Sequence, residues 1–354
     1  MKQHPGRLIY DNIDALAREA VRCQYRLEKG VWQKYGAAGR KKALEDARYN
    51  LAFLAEALMA EEPVLFVEYV KWLKILFEGL GFAENSFFLT IDCTFESAAT
   101  KLTDNDRALL ESYRTEVLRS LSSCGHPASF IGGTGILNQI AIKYLDLLLK
   151  RDRQAALALI KEAVDTGTPI GDIYLGVFQP VQREVGRRWQ TGSLNVAEEH
   201  YVTAATQMVM SQLYPRIFAT PRRGYRLLAT TVGGEYHEMG IRMVADLFEL
   251  NGWDTYFLGA STPDRSMIDA VSEWKPDIVA VSATMTFNVS QAAGLIATLR
   301  QAENGCRPGI IVGGLPFNVA DGLWRKLGAD GYAADGRQAV ILAEHLINQT
   351  RGSN

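Results

Sequence analysis

Between residues 13 and 121, apolar side chains recur at three- and four-residue steps, the spacing of one helix face. Leu44, Ala47, Leu51, Leu54 and Leu58 form one such row, and Phe66, Tyr69, Trp72, Leu73 and Leu76 form another. Glu62-Pro63 separates the two helices and Gly79-Leu80-Gly81 ends the second. The pattern predicts a helical region over residues 1–121, whose plainest role is dimerisation or interaction. A Gly/Pro/Ser-rich stretch at residues 122–135 predicts a linker. Amphipathic segments follow at residues 137–150, 153–166, 170–190 and 195–218, with a break at Thr191-Gly192-Ser193. Their short connections favour an antiparallel four-helix bundle over residues 136–220.

From residue 221 to 354 the period changes, and short apolar runs alternate with helical segments. Strands are predicted near residues 226–232, 254–258, 277–283, 309–313 and 330–333. Such alternation predicts a five-stranded parallel sheet of flavodoxin-like (Rossmann-type) order 2-1-3-4-5, so the fold class is α followed by α/β. Strands one and three are then neighbours, and the crevice outside their carboxyl ends is where open α/β sheets bind ligands.

His237 lies in the turn Gly234-Glu235-Tyr236-His237-Glu238-Met239-Gly240, just past the first strand. A neutral imidazole there is a candidate metal ligand. Forty-one residues separate Gly240 from Ser282-Ala283-Thr284, and twenty-eight separate Thr284 from Gly313-Gly314. Each element alone is an ordinary strand-to-helix turn; together they place small or polar groups at three strand ends. The set resembles the B12-binding domain of methionine synthase, methylmalonyl-CoA mutase and their relatives, whose pattern is Asp-x-His-x-x-Gly, then Ser-x-Leu or Ser-x-Thr, then Gly-Gly. The resemblance implies His237 as the lower ligand of cobalt, with Gly240 closing the motif. It implies Ser282, Thr284, Gly313 and Gly314 along a slot for the displaced nucleotide tail. Such a tail needs bare backbone and a few hydroxyls. Glu235 stands where the metabolic enzymes have Asp; it can still accept the other imidazole N–H, one methylene further out.

Charge narrows the field: 38 basic against 40 acidic residues give a net charge of −2, with no global field favouring nucleic acid. Cys23, Cys93, Cys124 and Cys306 lack C-x-x-C spacing and read as reduced thiols of a cytoplasmic protein. The N-terminus leads into no apolar signal core, and nowhere do eighteen apolar residues run together, so no membrane association is expected.

Two further stretches carry resemblances. Trp189, nine residues and then Glu199-His200 resemble the Trp-x9-Glu-His signature of B12-dependent photoreceptor repressors, in which a bundle covers the upper face of adenosylcobalamin. By that resemblance Trp189 stacks over the adenosyl group, with Glu199 and His200 nearby; the plain alternative is a core Trp and a helix-surface pair. Gln190 stands where the repressors have the histidine that ligates cobalt after illumination, so a second imidazole ligand would have to come from elsewhere, such as His200. Residues 39–58 are similar to the central helix of phycobiliproteins, globin-like carriers of linear tetrapyrroles. Ala43 occupies the chromophore-bonding cysteine position, and Asp46 that of the aspartate on the pyrrole nitrogens.

The combination resembles the photocobilins, light sensors that hold B12 and biliverdin together. It implies a non-enzymatic sensor holding adenosylcobalamin base-off, with a biliverdin-type bilin, and losing the adenosyl group on illumination so that the domains repack. Its partners would be the two cofactors, an output protein and another copy of the chain; without a helix-turn-helix module no direct DNA binding is expected. The competing readings are a corrinoid methyl carrier of a methyltransferase system and a dark sensor of B12 level that reports by oligomerisation.

Overall fold

The computed structural model describes residues 3–301 and 307–352. Two compact units meet in sequence between His126 and Pro127. The first consists of α1 (Pro5–Asp11), α2 (Ile13–Leu27), α3 (Lys29–Gln33), α4 (Gly36–Met59), α5 (Pro63–Gly79), α6 (Glu84–Ala99) and α7 (Asp104–Leu121). Helix α4 is its axis: α1, α2 and α5 pack on it, and Ala47, Leu51, Leu54 and Leu58 of the predicted row are buried. Pro63 opens α5, where the missing N–H costs nothing. The second row behaves differently at one position. Phe66, Tyr69 and Leu73 are buried, but Trp72 is 37% exposed, at the rim of the stack Phe53–Tyr69–Trp72.

The cysteines depart from the expectation of free thiols. Cys23 on α2 and Cys93 on α6 form a disulfide across packed helices, their Cα atoms 5.7 Å apart. Seventy residues separate them, so only tertiary packing reveals the pair. Cys124 is free, and Cys306 lies outside the described residues.

The second unit begins inside the predicted linker, and part of that stretch is fastened down. The Ser129 hydroxyl and the Phe130 amide donate to the buried Glu184 carboxylate, and Ile131 is buried. Burial would raise this carboxyl, but Arg187, Arg188 and the Phe130 N–H hold it at about 2.

The bundle comprises α8 (Ile136–Leu149), α9 (Arg153–Asp165), α10 (Ile170–Ile173), α11 (Gln179–Gln190), α12 (Val196–Ser211) and the short α13 (Tyr214–Ile217). Helices α10 and α11 are one run joined by a π turn at Tyr174–Phe178, in which the Gln179 N–H reaches back to the Tyr174 carbonyl. Pro180 explains the wide turn: it has no N–H to donate, and its ring crowds the preceding turn. A capping box between Asn195 and Glu198 starts α12.

The sheet is parallel, in the order β2-β1-β3-β4-β5, as predicted, with β1 (Arg226–Thr231), β2 (Asp254–Gly259), β3 (Ile278–Ser282), β4 (Gly309–Gly313) and β5 (Gly331–Tyr332). Strands β1, β3 and β4 are buried runs of Leu, Ile, Val and Ala, because helices cover both faces of a parallel sheet. Those helices are α14 (Met239–Leu250), α15 (Asp264–Trp274), α16 (Val289–Gln301), α17 (Leu315–Val319), α18 (Leu323–Lys326) and α19 (Gly336–Gly352). A single apolar cluster runs from the bundle through Tyr174, Leu247, Phe248 and Trp253 into the sheet. Among the described residues no helix is long and apolar enough to cross a membrane.

Bundle and sheet also share a polar clasp. Asp246 on α14 accepts hydrogen bonds from Tyr174 Oη at 2.8 Å and Tyr214 Oη at 3.1 Å. Burial raises its carboxyl to about 6, the two tyrosines and Arg242 opposing. The folded state therefore binds more protons than the unfolded one between the ordinary carboxyl range and pH 6, and stability falls as pH rises through that window. Asp246→Asn keeps an acceptor for the tyrosines and removes the titration. Its melting temperature relative to wild type should rise by about 5 °C between pH 4 and pH 7, following a penalty of roughly 2 to 3 kcal/mol. Parallel thermal scans check this; a difference independent of pH would show that Asp246 is not the titrating group.

Candidate cofactor site

The carboxyl ends of β1 and β3 converge on one side chain. After β1 the chain turns at Gly234, φ +79°, and the turn is clamped because Thr231 Oγ1 donates to the Glu235 carbonyl at 2.9 Å while accepting the Ser261 N–H. Glu235 is fully buried and its carboxylate accepts five hydrogen bonds. Oε2 takes the backbone N–H groups of Thr284 and Met285, both at 2.8 Å, and Asn288 Nδ2 at 3.1 Å. Oε1 takes the His237 backbone N–H at 3.1 Å and faces His237 Nδ1 at 2.5 Å. Burial opposes ionisation, but His237 and the N–H groups of Met285, His237 and Thr284 hold the carboxyl at about 2. The longer glutamate thus reaches both the imidazole and the turn after β3.

His237 is held on one side and open on the other. Its side chain is 59% exposed, and with Nδ1 engaged, Nε2 is the nitrogen left for a ligand. The hydrogen bond to Glu235 raises the pKa of the imidazole against partial burial, and the charges of Glu235 and Glu199 raise it further. Glu199, from the bundle, is therefore within electrostatic reach of this ring.

The other strand ends lie alongside. Ser282 is in register with Thr231 on one side and Gly313 on the other. Gly314 has φ +105°, and a Cβ there would stand 1.9 Å from the Ala283 carbonyl oxygen. Its identity is thus demanded first by the close approach of β4's end to β3's. Gly240 differs: it is exposed in the first turn of α14, and a Cβ would meet nothing within 4 Å.

On the bundle side, Glu199, Thr203, Gln207 and Ser211 stand four residues apart on one face of α12. Glu199 bonds His200 Nδ1 through Oε2 and faces Thr203 Oγ1 at 2.9 Å through Oε1. Gln207 Nε2 donates to Glu238 Oε1 at 3.3 Å, and Ser211 Oγ accepts from Arg242 at 3.0 Å, so the lower half of the stripe grips the start of α14.

The sequence of this region matches known domains. Residues 225–341 match the family model described as B12 binding domain, and residues 141–214 match a second model of the same description. The chain carries a B12-binding domain. The dimethylamine corrinoid protein of Methanosarcina barkeri is 26% identical over 208 residues, which are 57% of this chain and 94% of that protein. The HTH-type transcriptional repressor CarA of Myxococcus xanthus is 31% identical over 174 residues, 49% of this chain and 57% of that protein. The monomethylamine corrinoid protein of Methanosarcina barkeri has the same fold over 58% of this chain and 97% of its own, with TM-score 0.52 and 21% identity.

The residues of the B12-binding domain fit a corrinoid. Among the described residues no group of three or more His, Cys, Asp or Glu could hold a bare ion. A lone, anchored imidazole suits a metal whose remaining positions are filled by a macrocycle. Glu235, His237, Ser282, Thr284, Gly313 and Gly314 lie at the ends of neighbouring strands or the turns that follow them, and Gly240 lies in the first turn of α14. Glu199 and His200 adjoin on α12, the His200 ring 74% exposed. Trp189 is partly buried at the end of α11, and Gln190 beside it is buried, with 6% exposure. Asp46 lies in the other unit, paired with Lys42 at 3.0 Å; burial raises its carboxyl against that pairing. Sequence reasoning missed Asn288, Thr203 and Gln182. Only the Glu199-to-Thr203 step of four was visible beforehand.

Proposed function

We propose that the chain is a light sensor holding adenosylcobalamin, with His237 as cobalt's lower ligand and the bundle over the upper face. The observation that carries this reading is the anchored imidazole: Glu235 holds Nδ1 of an exposed His237, and α12, which carries Glu199 and His200, is bonded through Gln207 and Ser211 to Glu238 and Arg242 just beyond it. Glu235 fixes the imidazole tautomer and keeps Nε2 as the donor nitrogen. Ser282 and Thr284 offer hydroxyls to a buried nucleotide tail, Gly313 and Gly314 give it bare backbone, and the open face of Gly240 admits the macrocycle's edge. Trp189 caps the adenosyl group, and Glu199 and His200 bind its polar edge. The bound cofactor supplies a light-labile bond to its upper ligand. With the adenosyl group gone, Trp189 and Glu199 lose their contacts, and α12 is free to shift against α14.

The same proposal extends to the helical unit, where Asp46 would hold the pyrrole nitrogens of a biliverdin-type bilin. Asp46 must then exchange Lys42 for the pyrrole N–H groups. A second reading has its own support. The dimethylamine corrinoid protein is matched over 94% of its length, which favours a corrinoid carrier in a methyltransferase system.

One experiment separates the two. The purified protein, loaded with adenosylcobalamin, is expected to change its absorption spectrum under green light and stay unchanged in darkness, and to show a red band when biliverdin is supplied. Methyl transfer that proceeds equally in light and dark, without a light-driven spectral change, would sink the sensor.

A further inference from the structure

We infer that Thr203 and Gln182 are positioning residues that set the Glu199 carboxylate and thereby the protein's preference among upper ligands. The inference rests on the reading of Glu199 given above. A chain of polar groups runs from the bundle core to that carboxylate. Tyr144 Oη donates to Thr206 Oγ1 at 3.2 Å, and both residues are fully buried. The Gln182 amide bridges Thr206 at 3.0 Å and Thr203 at 2.9 Å, and Thr203 Oγ1 lies 2.9 Å from Glu199 Oε1.

Proton counting fixes the direction of this chain. The Thr203 hydroxyl has one proton and stands 2.9 Å from two groups, the Gln182 amide and the Glu199 carboxylate. If the amide oxygen took that proton, two oxygens would face each other beside an ionised carboxylate with no hydrogen between them. The two ends of an amide have the same shape, so the opposite sense is equally available. With nitrogen toward Thr203 and oxygen toward Thr206, every group is satisfied: Tyr144 donates to Thr206, Thr206 to Gln182, Gln182 to Thr203, and Thr203 to Glu199. The chain starts among buried groups, where an unmet bond is expensive, so its sense is firmly set and the last hydroxyl always points its proton at Glu199. One carboxylate oxygen is tied to Thr203 and the other to His200. Each keeps a lone pair for a donor on the upper ligand, which suits a nucleoside bearing hydroxyl and amino groups and offers nothing to a methyl, which has no donor.

Thr203→Val keeps the shape and removes the proton; Gln182→Leu breaks the bridge; Thr203→Ser restores the hydroxyl. The full chain and each variant are titrated in darkness with adenosylcobalamin and with methylcobalamin, read by absorbance. In Thr203→Val and Gln182→Leu the preference for adenosylcobalamin should fall about tenfold, the scale of one hydrogen bond to a charged group. Methylcobalamin should bind within about twofold of wild type, and Thr203→Ser should recover most of the preference. An unchanged preference overturns the inference. So does equal weakening toward both cobalamins, which would make the chain a support of the fold. A wild-type protein that binds methylcobalamin normally but gives adenosylcobalamin no advantage would remove the reading of Glu199 itself.

Discussion

His237→Ala is expected to abolish the absorption signature of an imidazole-ligated, base-off cobalamin and to weaken cobalamin binding by more than about 100-fold. The magnitude follows from support residues, since losing a hydrogen-bond partner behind a metal ligand commonly costs 10- to 100-fold and losing the ligand must cost more. The ring is 59% exposed, so removing it opens no core cavity and the fold should survive. Circular dichroism and thermal melting separate the two effects. If the variant keeps the wild-type spectrum with bound cobalamin, His237 is not the ligand.

Glu235→Gln should be the most damaging isosteric change in the B12-binding domain. The amide has one oxygen and one NH2, and it must present one of them to each side of the original carboxylate. Turned one way, the NH2 meets the N–H groups of Thr284, Met285 and Asn288; turned the other, it meets those of His237. Either way donors packed around the fully buried side chain face a donor, and each unmet group costs about 1 to 3 kcal/mol, so a loss of roughly 3 kcal/mol is expected in urea unfolding followed by tryptophan fluorescence. The buried Trp253, within the same domain, reports the transition. Cobalamin affinity should fall about 10- to 100-fold as well, because the imidazole loses its orienting acceptor. Glu235→Asp, one methylene shorter, should lose part of the grip on the turn after β3 and fall between. An unfolding midpoint equal to wild type in Glu235→Gln would show that the five bonds do not act together.

The sheet was legible because its central strands β1, β3 and β4 are short apolar runs closed by Thr, Ser and Gly, and a parallel sheet covered on both faces needs little else. His237, Ser282 and Gly313-Gly314 were legible for the same reason, since strand ends and turns announce themselves locally. Other features depend on distances that no local pattern encodes. Cys23 and Cys93 meet only because α2 and α6 pack together. Ser129 and Phe130 looked like free linker until Glu184, more than fifty residues on, received their hydrogen bonds. Trp72 kept the helical period yet sits at the rim, because a row of five large side chains is wider than the contact it serves. Gly314 was read as space for a ligand, and the close approach of Ala283 is a second demand for glycine there that no local pattern shows. Gln182 carried no signal, and Thr203 only its four-residue step from Glu199, both being ordinary polar positions on two helices that touch.

The Glu235 carboxylate belongs to one turn and grips the next, so the two strands that border the crevice are stitched together at their tips. A floor stitched this way cannot spread to admit a bulky guest without tearing the three bonds to Thr284, Met285 and Asn288 at once. The roof is held more lightly: α12 meets the start of α14 through the single bonds of Gln207 and Ser211, which water can replace one at a time.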